Sequence, residues 1–429
     1  ENKKLIMKIR DTFVLTLILF LTSHGLFAQK LTLEYCLNKV EEISPLSRQK
    51  LHYETLEELT QKNVSNAYLP AIFINGQVSY QSDVFSFPNN PIFDSPIIPN
   101  EQFRVTLDVS QKIYDGGLTK NKKIAETARI ITDSKSVEVD LYEIKATISG
   151  LFFSALIYQE NINILKNLLN DLKEQQRIID SQVRNGIILK SASNNFKKQV
   201  LTTEQQILSM ELEQEAILSM LGKWIGEEVN SSDEFEVPKN VLSVNGYEIN
   251  RPEIQLLETQ NIYLESMKNL SSVSRRPMIW AVAQAGVGQP NAYNFLEVDV
   301  SDFYYIGIKA SWKLFDYGNA KREKSIYAAN QAIVNTKKEY LEDNIDIQLT
   351  KEFAEVNKLK ELLEKDEEII NLQSEIVESA FSQVRNGVIT STNYLSELNT
   401  KTQLELTRKI HLVQLKQTEY NCLNISGNL

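Results

Sequence analysis

Ser181-Gln-Val-Arg-Asn-Gly-Ile-Ile188 returns almost unchanged as Ser382-Gln-Val-Arg-Asn-Gly-Val-Ile389, 201 residues later in a chain of 429. At the same offset Ile113-Tyr-Asp-Gly-Gly117 meets Leu314-Phe-Asp-Tyr-Gly318, and Gly226 meets Gly427. Three ordered landmarks at one offset mark an internal duplication, and nothing is inserted between residues 103 and 226. Upstream the offset becomes 207, with Pro45 pairing to Pro252 and Pro70 to Pro277. The difference falls in a Pro-rich stretch, Gln81 to Asn100, whose counterpart Gln289 to Asp302 is shorter. Length variation of this kind belongs in exposed loops.

Within each copy the hydrophobic period changes. Ile72, Ile74, Val78 and Tyr80 alternate with more polar neighbours, as do Phe103, Val105, Leu107 and Val109 with Arg104, Thr106, Asp108 and Ser110. In the second copy Tyr304, Ile306, Ile308 and Ala310 hold the apolar phase against Lys309, Ser311 and Lys313. This predicts strand pairs over residues 70–82 and 101–114, then 277–288 and 303–315. Strands of roughly ten residues suit a membrane barrel, and a charge facing lipid near the midplane costs about 2–4 kcal/mol, so Arg104, Asp108 and Lys309 are expected to face a wet lumen. Tyr80, Tyr304, Trp312 and Phe315 are candidates for an aromatic girdle. The alternation alone also fits a soluble sandwich.

After the Asp-Gly-Gly turn the period becomes helical. Leu141, Ile148, Ala155, Ile162, Leu169 and Val183 fall on one heptad position, with Gln176 as the exception, and Ile144, Leu151, Tyr158, Leu165, Leu172 and Ile179 on another. The second copy keeps the row Leu349, Val356, Leu363, Ile370, Val377 and Val384. These rows predict coiled-coil seams. One helix over 118–184 would be roughly 100 Å long at 1.5 Å per residue.

Composition narrows the function classes. The formal charge is −10 with both signs interspersed, which offers no concentrated basic face for nucleic acid. Lys3, Lys4, Lys8 and Arg10 precede the apolar run Phe13 to Leu21, so residues 1–28 read as a signal peptide, with Met7 as the expected start and cleavage expected before Gln29. Removing them leaves 42 basic and 54 acidic residues, a net −12. That apolar run is shorter than the ~20 residues a membrane-spanning helix needs, so any later crossing is expected to be β. Cys36 and Cys422 form no disulfide framework or zinc pattern, and His52 and His411 lack a local ligand set, so no metal and no cofactor is expected. No Ser-His-Asp set, phosphate loop or catalytic carboxylate pair stands out, and no enzymatic activity is expected.

Taken together, these residues resemble the TolC family of outer membrane efflux proteins over nearly all of the chain after residue 28. The shared pattern is a Pro-led helix at Ser44-Pro45 and Arg251-Pro252, then a strand start at Leu69-Pro70 and Arg276-Pro277. The turns Tyr114 to Gly117 and Phe315 to Gly318 and the tip glycines Gly186 and Gly387 complete it. The resemblance implies an α+β membrane protein of two tandem repeats, residues 29–226 and 251–429, joined by an equatorial segment 227–250. It implies a homotrimer whose four strands per chain build a twelve-stranded β-barrel, continued by an α-helical coiled-coil tunnel. The location implied is the outer membrane of a Gram-negative cell, in contact with its lipid and extending into the periplasm. The implied role is the channel of a tripartite efflux or type I secretion system, fed by an inner membrane pump and a periplasmic adaptor.

By the same resemblance the tips 184–188 and 385–389 are adaptor-docking turns, carried by Arg184, Gly186, Ile187 and Ile188 and by Arg385, Gly387, Val388 and Ile389. Some relatives close the periplasmic mouth with paired Asp residues; the matching positions here are Asn393 and Ser396, with Glu397 adjacent. An acidic ring is therefore not expected, and Asn393 reads as a helix-start residue after Thr392. Two other readings remain open: a periplasmic coiled-coil envelope scaffold without transport activity, and an outer membrane barrel enzyme.

Overall fold

The computed structural model describes residues 30–86, 96–238, 248–294 and 296–429. The expected signal peptide, Pro88 and Pro91 of the long loop, and most of the second half of the 227–250 segment lie outside the described residues. In chain order the elements are β1 (Lys30–Leu31), α1 (Leu33–Ile43), α2 (Pro45–Ser65), β2 (Ala71–Tyr80), β3 (Glu101–Tyr114), α3 (Leu118–Arg184) and α4 (Lys190–Ile225). The second copy follows with β4 (Glu234–Phe235), α5 (Pro252–Val273), β5 (Met278–Gln289), β6 (Ser301–Ser311), α6 (Asn319–Arg385) and α7 (Ser391–Ser426). Among the described residues no helix is long and apolar enough to cross a membrane.

Two compact units do not follow the repeat boundaries; each takes segments from both copies. The strand-bearing unit holds Pro45–Leu141 and Asn250–Ile345, and the helical unit holds the described residues up to Ser44, of Tyr142–Ile249 and of Asp346–Leu429. The long helices α3 and α6, each of 67 residues, contribute to both.

In the strand-bearing unit β2, β3, β5 and β6 form one antiparallel sheet in that order. The register carries the predicted alternation across all four strands. Ile74 faces Leu107, which faces Ala285, which faces Tyr304; Asp108 faces Gln284, which faces Tyr305. Strand β6 ends at Ser311, so Trp312 and Phe315 lie just beyond it rather than in a strand reaching 315.

Asp115 and Asp316 explain the repeated aromatic-Asp turn. Asp115 is fully buried, and its Oδ2 accepts from the Thr119 backbone N–H at 2.8 Å and hydroxyl at 2.5 Å, capping the start of α3. Its Oδ1 accepts from the Gly117 N–H at 3.0 Å and the Tyr68 hydroxyl at 2.8 Å. Burial pushes this carboxyl up, but the hydrogen bonds from Thr119, Tyr68 and Gly117 outweigh it and hold it below the ordinary carboxylate value. Asp316 repeats the cap with the N–H groups of Ala320 and Gly318, both at 3.0 Å. Gly116 has φ +68°, and a Cβ there would stand 2.4 Å from the Arg276 Cβ. Tyr317, at the matching position, takes φ +54° with an exposed side chain.

The helical unit has two main cores. One gathers Leu33, Cys36, Leu37 and Val40 of α1 against Ile148, Phe152, Phe153 and Leu156 of α3, Leu218 and Leu221 of α4, and Phe235. There β1 pairs in parallel with β4, Leu31 opposite Phe235. The predicted rows therefore need correcting: Ile148, Ala155 and Ile162 are buried, but so are Phe152, Phe153 and Leu156, while Ile144 and Leu151 are only partly buried. A helix flanked by several elements buries a face broader than a two-helix seam. The second core lies at the helix ends: Leu172, Ile179, Phe196, Val384, Tyr394 and Leu398 are among its buried members.

Candidate conduit face and helix tips

The sheet has two chemically distinct faces. On one, Ile72, Ile74, Val78 and Tyr80 of β2, Val105 and Leu107 of β3, and Tyr304, Ile306 and Ile308 of β6 are all exposed, Ile306 at 81% and Val78 at 86%. Water has no use for so continuous an apolar surface. Tyr80 ends β2 on the loop side and Trp312 lies just past the other end of β6, so aromatic side chains stand toward both ends of the sheet. The four expected girdle residues, Tyr80, Tyr304, Trp312 and Phe315, are all exposed.

Arg104, Asp108 and Lys309 share the opposite face, as the alternation predicts: Arg104 stands between Gln77 and Gly288, Asp108 between Phe73 and Gln284, and Lys309 beside Trp280. Asp108 is the centre of a small polar network. Its Oδ2 accepts from Asn75 Nδ2 and Thr106 Oγ1, both at 2.7 Å, and its Oδ1 accepts from Gln284 Nε2. Asn75 and Gln284 were missed in the sequence because they become neighbours of Asp108 only through the strand register.

At the tips both copies close with one hydrogen-bond pattern. Gly186 N–H donates to Val183 O at 3.0 Å and Ile187 N–H to Gln182 O at 2.9 Å; Gly387 and Val388 repeat this to Val384 and Gln383 at 3.2 and 2.9 Å. With φ of +71° and +73°, the two glycines are left-handed caps of the Schellman type. A Cβ on either would meet no atom within 4 Å, so backbone conformation alone selects glycine.

The candidate docking residues separate. Ile187 and Val388 are exposed, at 64% and 71%, whereas Ile188 and Ile389 pack against the tip core. Arg184 and Arg385 are exposed, and the Arg385 guanidinium lies 5.9 Å from the Phe381 ring centre. Beneath them Tyr394, one of the most buried side chains of the core, stacks on Phe196 at 6.1 Å. Burial pushes its phenol up to about 12, against a hydrogen bond from Gln175.

The three positions singled out near the mouth behave differently. Helix α7 begins at Ser391, and Thr390 Oγ1, not Thr392, caps it by accepting from the Asn393 N–H at 3.3 Å. Asn393 and Ser396 are exposed. Glu397 is half-buried, and its carboxylate and backbone oxygen both accept from Gln373 Nε2, at 2.9 and 3.0 Å. No cluster of three or more His, Cys, Asp or Glu side chains suited to a metal occurs among the described residues.

The sequence matches no protein-family model, and comparison with curated protein sequences gives no match. Solved structures do match. The Campylobacter jejuni CmeC outer membrane channel superposes with a TM-score of 0.65 at 13% identity, over 92% of this chain and 85% of its own. The outer membrane protein VceC of Vibrio cholerae gives 0.63 at 13%, over 92% and 94%. The open state of the Neisseria gonorrhoeae MtrE outer membrane channel gives 0.66 at 12%, over 92% and 88%. At such identities the likeness is one of fold, and it covers both units.

Proposed function

Starting from a chain with the fold of the TolC-family outer membrane channels, we propose that it is the channel component of a tripartite efflux or type I secretion system. It sits as a homotrimer in the outer membrane of a Gram-negative cell, extends into the periplasm, and passively conducts what an inner membrane pump and a periplasmic adaptor deliver. The observation that carries this reading is the exposed apolar face of a sheet whose edge strands, β2 and β6, have no second partner strand among the described residues.

In hydrocarbon every unpaired backbone group costs several kcal/mol, so such a sheet must close on itself or on copies of itself. With an even number of antiparallel strands, β6 of one chain runs antiparallel to β2 of the next, and copies join without a change in pairing mode. Two chains would give eight strands, whose interior is filled by side chains, whereas three give twelve and leave a bore. Arg104, Asp108 and Lys309 then line water rather than lipid.

At the tips, Ile187 and Val388 offer an apolar contact beside Arg184 and Arg385 for the adaptor. The role assigned is conduction, with no catalysis. The scaffold alternative leaves the apolar sheet face without a purpose. Native mass measurement of the full chain in mild detergent tests the reading: three copies are expected, and a stable monomer retaining its sheet would overturn it.

A further inference from the structure

The loop between β5 and β6 is built back onto the polar face of the sheet. Asn291 Oδ1 accepts from the backbone N–H groups of Tyr293 and Asn294, both at 2.9 Å, while its Nδ2 donates to Ser301 Oγ at 2.9 Å and Asp302 O at 3.2 Å. A further bond, Asn291 N–H to Glu297 O at 2.9 Å, holds the far side of the loop. This frame presents Tyr293 to the sheet. Its ring lies edge-on against Phe303 and Tyr305, with centroids 5.3 and 5.4 Å away, and its hydroxyl donates to Gln284 Oε1 at 2.5 Å. Gln284 in turn donates to Asp108.

The sheet is shaped to receive this contact. Phe303 is buried, and a Cβ on Gly286 would stand 2.9 Å from its ring and 2.6 Å from Val105 O, so glycine there leaves the space in which Phe303 lies flat. Every residue Tyr293 touches belongs to the face of Arg104, Asp108 and Lys309. Yet Tyr293 remains 52% exposed, so half of its surface is turned away from the sheet.

We infer that Tyr293 is a selectivity residue of the conduit, the inward edge of a collar that narrows the bore at the loop end of the barrel. This rests on the trimeric channel reading above. Twelve strands spaced about 4.8 Å and tilted about 40° enclose a backbone radius of about 12 Å, and one layer of side chains fills roughly 5 Å of it. A tyrosine resting on that first layer reaches roughly 10 Å from the wall, so three copies together close most of the bore at their level. The collar discriminates by size and by the aromatic character of its rim, and solutes entering from the loop side meet it before they reach Lys309.

The test uses the full chain in intact cells, with Lys309→Cys as the reporter. Lys309 lies on the polar face four residues beyond Tyr305 toward the helices, and the native Cys36 and Cys422 are buried, at 0% and 1% exposure, so the new thiol is the accessible one. A small charged maleimide and a bulky polyethylene glycol maleimide are applied from outside, and labelling rates are compared at equal trimer abundance. Adding Tyr293→Ala is expected to accelerate the bulky reagent at least about tenfold and leave the small one unchanged, because a constriction filters by size. Asn291→Ala, which releases the loop frame without touching the ring, is expected to do the same. Equal bulky-reagent rates in the parent and both variants, with the small reagent labelling normally, would overturn the collar and leave the channel intact. Failure of the small reagent to label Cys at 309 in any assembled variant would instead overturn the assignment of the lumen face, and the channel reading with it.

Discussion

Leu107→Arg and Val282→Arg are similar changes in hydropathy with opposite expected outcomes. Leu107 lies near the middle of β3, between Ile74 and Ala285, on the face that carries Ile306 and Ile308. An arginine facing lipid at the midplane of a barrel costs about 2–4 kcal/mol, a factor of about 30 to 700 in the folded ratio at ~1.4 kcal/mol per tenfold. Each copy in a closed barrel bears that cost. Val282 lies between Ser110 and Gly307 on the face of Asp108 and Gln284. There an arginine extends into water past two small neighbours, and the expected cost is within about 0.5 kcal/mol, as for an exposed substitution. Refolding into lipid vesicles across a urea series, read by heat-modifiable electrophoretic mobility, measures both. Equal loss of assembly in the two variants, or a greater loss for Val282→Arg, would refute the assignment of the faces.

Replacing Gly387 with Val forces a β-branched residue into a left-handed cap, with an expected loss of about 1–2 kcal/mol, measurable as a lowered thermal midpoint with trimer formation retained. Ile187→Glu combined with Val388→Glu keeps both caps and is expected to abolish crosslinking to the adaptor and to lower export at normal trimer abundance; unchanged crosslinking would mean the adaptor engages another surface. Asp115→Ala strands the Tyr68 hydroxyl and the Thr119 N–H and is expected to cost about 1–3 kcal/mol at neutral pH, more than Asp316→Ala. Because the folded pKa of Asp115 is depressed, its contribution is complete above the unfolded value of about 4 and is lost as pH falls toward the lower folded value. The stability gap between the parent and Asp115→Ala should therefore shrink on acidification below about pH 4, and a gap that widens would contradict the sign.

The duplication and the alternation in β2, β3 and β6 were legible because both are local patterns, and the register does put Arg104, Asp108 and Lys309 on one common face of the sheet. The tip glycines were legible for the same reason, since a Schellman cap is written in a few consecutive residues. What escaped depends on neighbours distant in sequence. The Asn75–Asp108–Gln284 network needs the register of three strands. Ile188 and Ile389 read as surface residues until the tip core around Tyr394 is present to receive them. The bond from Gln373 to Glu397 was not legible either, because it joins two helices across the tip. The heptad rows missed Phe152 and Leu156 because α1, too short to announce itself by period, adds a third wall to that core.

The claim that joins these elements is that three copies enclose a water-filled passage lined by the face of Asp108 and Lys309. Single-channel recording of purified, heat-modifiable trimer in planar bilayers tests it most directly, with the helix tips intact. Discrete conductance steps are predicted, altered in size or ion selectivity by Val282→Arg, which adds three charges to the bore, and unaltered by a conservative aromatic change on the opposite, apolar face such as Tyr80→Trp. Trimers that insert but conduct nothing, or steps indifferent to Val282→Arg, would contradict the passage and return the molecule to a structural role.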